Sequence, residues 1–191
     1  MNTREFIIGH YSEIDFDGKP QLPRVNAYHK SHGFPKSSLG YWCGYHFFIG
    51  EDGTKVQTRG LDERGAHAVN CGCKTDQSGA SFNTLNYRAI GICLAGDFRN
   101  HPPNQIQIDV LYDLIQEIQQ AYGSRFLLHR EVKNTACPGI DYRPLLEEAH
   151  KRWLAKDLVR KQDALRWATG SRRTMLERAI ARILKLLSPT P

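Results

Sequence analysis

Apolar and polar positions alternate between two periods along this chain, and the switch points mark the elements. "EFIIGHY" (residues 5–11) is a short run of bulky apolar residues and predicts a strand. "GYHFFIGEDGTKVQT" (residues 44–58) predicts two strands joined by a Glu-Asp-Gly turn. "YRAIGICLAGDF" (residues 87–98) predicts a buried strand ending at Gly96, and "RFLLHRE" (residues 125–131) a last short strand. Helical spacing appears in "PRVNAYHKSHGF" (residues 23–34), where proline opens the run. It appears again in residues 104–123, where Ile108, Leu111, Ile115 and Ile118 share one face. Strands alternating with helices predict an α/β fold: one mixed central sheet flanked by helices. The polar, Gly- and Ser-rich stretch of residues 68–86 reads as a long loop at a substrate rim.

The last quarter follows the helical period only. Residues 144–168 place Leu146, Ala149, Trp153, Leu154 and Leu158 mostly on one side, and Gly170 breaks the run. A second helix is expected from Ser171, with Thr174 and Glu177 as a capping box. Leu176, Ile180, Ile183 and Leu187 form one face of it; Arg178, Arg182 and Lys185 form another.

Charge divides the chain at the same place. Residues 151–191 hold eleven Lys or Arg and three Asp or Glu, a net of +8, and the whole carries +6, leaving −2 for residues 1–150. The expected organisation is therefore a compact domain over residues 1–148 and a basic helical extension over residues 149–191. A basic amphipathic helix suits an anionic envelope surface such as lipopolysaccharide, anionic lipid or teichoic acid. It equally suits a helix docked by its apolar stripe with its charges merely solvated. Nucleic acid is not an expected partner, because no aromatic residues interleave the charges and no nucleic-acid motif is present.

At 191 residues and 40% hydrophobic content, the chain supports one well-filled core. No apolar run approaches the ~20 residues of a membrane span. Glu5, His10 and Glu13 interrupt any signal-peptide core, and five cysteines form no disulfide framework. Synthesis in the cytoplasm without a signal peptide, action on its target after release, and a monomeric state are the expectations.

The candidate chemistry centres on "LLHREVKNTACPG" (residues 127–139), which sets an imidazole and a thiol eight positions apart. His10 ends the first predicted strand and His129 the last, so one sheet edge can hold both, with Cys137 returning on the next loop. Two imidazoles and one thiolate suit zinc and leave its fourth tetrahedral position open, as in catalytic sites. On spacing alone the signal is weak, and core or surface roles are the more usual ones for isolated histidines and cysteines. His46 follows Tyr45 and points the other way, towards the core, if both are on a strand. His29 and His32 fall on the polar part of their helix and read as solvated. Cys43 and Cys93 read as core, and Cys71 and Cys73 as loop cysteines.

The motifs "IIGHYSE", "GYHFFIGEDGT", "GAHAVN", "AIGICLAGDF" and "LLHREVKNTACPG" decide further. In this order and separation they resemble the zinc amidases of peptidoglycan, the amidase type 2 family with the small phage lysozyme-amidases and the peptidoglycan recognition proteins. The resemblance covers about residues 4–148. It implies an N-acetylmuramoyl-L-alanine amidase that cuts the bond between N-acetylmuramic acid and the L-alanine of the stem peptide, a bacteriolytic endolysin. It implies zinc held by His10, His129 and Cys137, with Tyr45 beside the reacting water. Thr135 takes a position where family members carry Lys or Thr, and His67 is implied as a substrate contact. A non-catalytic peptidoglycan-binding module and a cytoplasmic muropeptide-recycling amidase are the alternatives. Family members that lack the cysteine lack activity, and Cys137 is present.

Overall fold

The computed structural model describes residues 4–15, 17–68 and 85–188. Most of the expected rim loop, with Cys71 and Cys73, lies outside the described residues. The chain divides into two compact units, Met1–Tyr142 and Arg143–Pro191. The boundary expected between residues 148 and 149 falls inside a helix, Arg143–Leu165.

The first unit is built on a five-stranded mixed sheet in the order β3-β2-β4-β1-β5. Strands β1 (Phe6–Tyr11), β2 (Phe47–Ile49), β4 (Ala89–Leu94) and β5 (Arg125–Leu128) run parallel, and β3 (Lys55–Gln57) pairs antiparallel with β2. Helices α1 (Gln21–Ser31), α2 (Leu85–Arg88), α3 (Gln105–Tyr122) and α4 (His129–Val132) complete it. The expected mixed sheet with flanking helices is the observed fold.

Register sorts the sheet into two faces, because successive side chains alternate. Phe6, Ile8 and His10 pair with Ala89, Gly91 and Cys93 and share one face. On it lie two apolar clusters, one around Phe6, Ile8, Leu85 and Val132, the other around Val25, Cys43, Phe48 and Cys93. On the opposite face Tyr142 lies against Gly9, so closely that a Cβ there would collide with its hydroxyl. In α3 the expected face is buried, with Ile108, Leu111, Ile115 and Ile118 each 5% exposed or less. Asn104 caps that helix, accepting from the Gln107 amide at 2.9 Å, and Gly123 ends it at φ 69°.

Three local expectations differ from the structure. Tyr45 and His46 precede β2, which begins at Phe47; the Gly44 amide and the Tyr45 carbonyl are taken by side chains, His29 and Thr58, while the His46 backbone still bonds Gly91 and Thr58. His129 opens α4 rather than ending β5, because the Glu131 carboxylate accepts the Leu128 amide at 2.7 Å and starts a helical turn. Tyr87 and Arg88 belong to α2, with β4 beginning at Ala89.

The second unit holds α5 (Arg143–Leu165) and α6 (Gly170–Leu187), which pack on one another. Thr174 and Glu177 are inside α6 and form no cap; Thr169 takes the N-cap, and Glu177 pairs with Arg173 at 3.0 Å. Ile183 is buried, whereas Arg178, Arg182 and Lys185 are exposed, as are Trp167 (88%) and Met175 (70%).

Candidate metal centre

The parallel strands end side by side, so residues at their C-terminal ends converge, the usual location of ligand sites in open α/β sheets. His10 is the penultimate residue of β1, and His129 follows the last residue of the adjacent β5. Cys137 is on the loop after α4. That loop is anchored by Arg130, which donates to the Gly139 carbonyl at 2.8 Å, and by the Ile140 amide on the Phe98 carbonyl at 2.9 Å. One donor atom each from His10, His129 and Cys137 falls within 4.8 Å of the others, and all three residues are buried. His10 Nδ1 stands 3.7 Å from Cys137 Sγ, and the His10 and His129 rings are 4.3 Å apart.

These residues fit a cation. Neither ring nitrogen of His129 has a hydrogen-bond partner among the described residues, although both are buried. Orphaned buried polar atoms are costly unless something else binds them. Burial pushes His129 down to about 4, helped by Lys133. It pushes His10 well below its ordinary value, helped by His129 and His67. Both imidazoles are neutral and offer lone pairs. Burial raises the Cys137 thiol to about 12, so a nearby positive charge is needed to free its thiolate.

A cavity of about 240 Å³ opens onto this group, lined also by Tyr45, Thr135, His67, His29, Tyr28 and Glu13. Tyr45 sits 5.0 Å from His10, ring to ring. Side chains and neighbouring backbone anchor the chain around it. Gly44 donates to His29 Nδ1 at 3.2 Å, the Ala66 amide to the Gly44 carbonyl at 2.9 Å, and Thr58 Oγ1 to the Tyr45 carbonyl at 2.8 Å. Burial holds the Tyr45 phenol far above its ordinary value, with the Cys93 thiol adding to the effect, so it remains a donor. Thr135 Oγ1 accepts the Cys137 amide at 3.2 Å.

His67 is not on an exposed rim. Only 7% exposed, it places Nδ1 3.0 Å from His10 Nε2. His46 is buried as expected: Nδ1 accepts the Gly91 amide at 3.0 Å, leaving Nε2 to donate to the Glu63 carbonyl at 3.1 Å. His29 is buried and lines the cavity, contrary to the expected solvated role, while His32 is exposed. The spacing of Gln21, Val25 and His29, one helical turn apart, is the signal that groups His29 with the buried face. Glu13, also unforeseen, holds φ 57°, pinned between Ser12, whose hydroxyl accepts the Gly96 amide at 3.0 Å, and the Ile14–Gly96 bridge. A non-glycine residue in that region costs energy and collects at functional sites.

Fold and motif together define the class. The chain belongs to the N-acetylmuramoyl-L-alanine amidase family, whose profile matches residues 1–140. Peptidoglycan-recognition protein SC2 of Drosophila melanogaster is 33% identical over 137 residues, 69% of this chain and 63% of the relative's length. The chain thus spans under two thirds of that curated relative. Among solved structures, the N-acetylmuramoyl-L-alanine amidase LysC from Clostridium intestinale is similar at TM-score 0.58 and 26% identity, covering 80% of this chain and 87% of that one. Drosophila PGRP-LB is similar at TM-score 0.56 and 25% identity, over 73% and 76% of the two chains. A PGRP-LB mutant has been solved in complex with tracheal cytotoxin.

Proposed function

We propose that this protein is a zinc-dependent N-acetylmuramoyl-L-alanine amidase acting as a lysin on peptidoglycan. The observation that carries the reading is the buried convergence of His10, His129 and Cys137 within 4.8 Å, with both His129 nitrogens unpartnered among the described residues. Three protein donors leave room for water or substrate, the pattern of catalytic rather than structural zinc. When bound, zinc supplies Lewis acidity that polarises the amide carbonyl and makes water acidic enough to attack near neutral pH.

The chain's own residues supply the rest. His10 and His129 present neutral nitrogens, and Cys137 contributes a thiolate that tempers the charge of the ion. Tyr45, protonated and fixed by its backbone anchors, donates a hydrogen bond to the oxygen that gains negative charge. The Thr135 hydroxyl already accepts the Cys137 amide, so its proton is available to the same oxygen or to the attacking water. Lacking the positive charge of a lysine, Thr135 contributes less electrostatic stabilisation. The basic second unit, in which Trp167, Arg166, Arg172 and Arg173 are all exposed, is proposed to hold the enzyme to anionic envelope surfaces.

Purified cell wall incubated with zinc-loaded protein is expected to release free stem peptides with an L-alanine amino terminus, detected by mass spectrometry. Wall binding without release supports a binding module instead, and cleavage confined to soluble muropeptides supports a recycling enzyme.

A further inference from the structure

His67 reaches the cavity wall but sets its ring against His10, and the chain is shaped to keep it there. Its ring fills space that two glycines leave open. A Cβ on Gly91 would lie 2.5 Å from His67 Cδ2 and 2.9 Å from Nδ1, and one on Gly65 2.6 Å from Cδ2. Asn86 Oδ1 fixes the backbone beneath, accepting the amides of His67 at 3.0 Å and Ala68 at 2.9 Å. So held, Nδ1 meets His10 Nε2 at 3.0 Å, while the other His10 nitrogen, Nδ1, faces Cys137 Sγ at 3.7 Å.

An imidazole that gives its Nδ1 lone pair to a metal carries its proton on Nε2. For His10 that proton points at His67 Nδ1, the one hydrogen-bond partner of Nε2 among the described residues. We infer that His67 is a positioning residue for the metal centre: its Nδ1 accepts the His10 Nε2–H, fixing the tautomer and the ring angle that aim His10 Nδ1 at the ion. This rests on the metal-site reading above. Acceptors of this kind are commonly carboxylates or backbone carbonyls, and their loss costs roughly 10- to 100-fold in metal affinity. A neutral imidazole accepts only with its own proton on Nε2. That nitrogen is buried and has no hydrogen-bond partner among the described residues.

The test compares His67→Leu, which removes the acceptor, with His67→Asn, whose Oδ1 replaces Nδ1. Zinc affinity is measured by competition with a chromophoric chelator, and the cobalt(II) form is followed by its visible spectrum. His67→Leu is expected to bind zinc roughly 10- to 100-fold more weakly and to shift the cobalt bands, and His67→Asn to recover most of both. Leucine binding zinc like wild type, with only KM raised, would overturn the inference in favour of a direct substrate contact. Wild-type protein that takes up no zinc would instead sink the metal-site reading itself. Should His67→Leu fail to fold, imidazole ¹⁵N spectra of zinc-loaded wild type decide. The inference requires His10 protonated on Nε2 and His67 unprotonated on Nδ1, and the reverse assignment defeats it.

Discussion

Arg4→Met is expected to destabilise the first unit by about 3–6 kcal/mol, a large share of the roughly 5–15 kcal/mol that holds a domain together. Arg4 is 1% exposed, and its guanidinium reaches backbone carbonyls where most buried arginines meet a carboxylate. It donates to Leu61 at 2.5 Å, Glu63 at 2.6 Å and Tyr87 at 2.8 Å, with Ala89 more distant at 3.5 Å. Methionine fills much of the volume but donates nothing. Three short-range carbonyls then lose their donor, at roughly 1–2 kcal/mol each. Those carbonyls belong to the segments on either side of His67, and the Glu63 carbonyl also accepts from His46. Urea unfolding followed by far-UV circular dichroism gives the free energy, and Arg4→Lys should lose most of the same stability, since an ammonium cannot reproduce the fork. A methionine variant within about 1 kcal/mol of wild type would refute the reasoning, because surface substitutions alone do that little.

Tyr45→Phe should retain zinc and fold while turnover on cell wall falls roughly ten- to a thousand-fold, as for loss of one oxyanion donor; unchanged turnover would reduce the phenol to packing. The metal-free protein should lose stability as pH falls from 6.5 towards 4. His46 is buried and neutral, with its value lowered to about 4 chiefly by burial, whereas the unfolded chain takes up that proton near 6.5. Its stabilisation is complete above pH 6.5 and worth about 3 kcal/mol by the linkage relation, so a flat urea midpoint across that window would contradict the assignment. Exchanging Arg178, Arg182 and Lys185 for glutamate should leave hydrolysis of soluble muropeptides intact. It should weaken binding to anionic vesicles and whole cells and remove most of its salt dependence; salt-sensitive binding that persists would place the anchoring elsewhere.

The strongly periodic segments were legible because a single physical demand shaped each. Residues 104–123 bury one stripe and carry their own cap and terminator, and β1 is apolar throughout except at His10. The pairing of His10 with Cys137, 127 positions apart, became readable through motif order, since neither residue's neighbourhood names the other. The burial of His67 was not legible because "GAHAVN" reads as a polar loop. Its burial depends on space left by Gly91, a strand residue 24 positions away whose missing side chain leaves no trace in hydrophobic periodicity. His29 was misplaced because the inner face of α1 is itself mostly polar, made of Gln21, Val25 and His29. The turn at His129 escaped a strand reading because the side chain of Glu131, two residues on, creates it.

Cys137→Ala tests the central claim most directly, with zinc stoichiometry and wall hydrolysis measured on the same preparations. Wild type should hold one zinc per chain and release stem peptides, and the variant should remain folded yet lose metal and hydrolysis together. A variant that keeps full zinc, or a metal-free variant that still cleaves the wall, would contradict the assignment of His10, His129 and Cys137 as one catalytic metal centre.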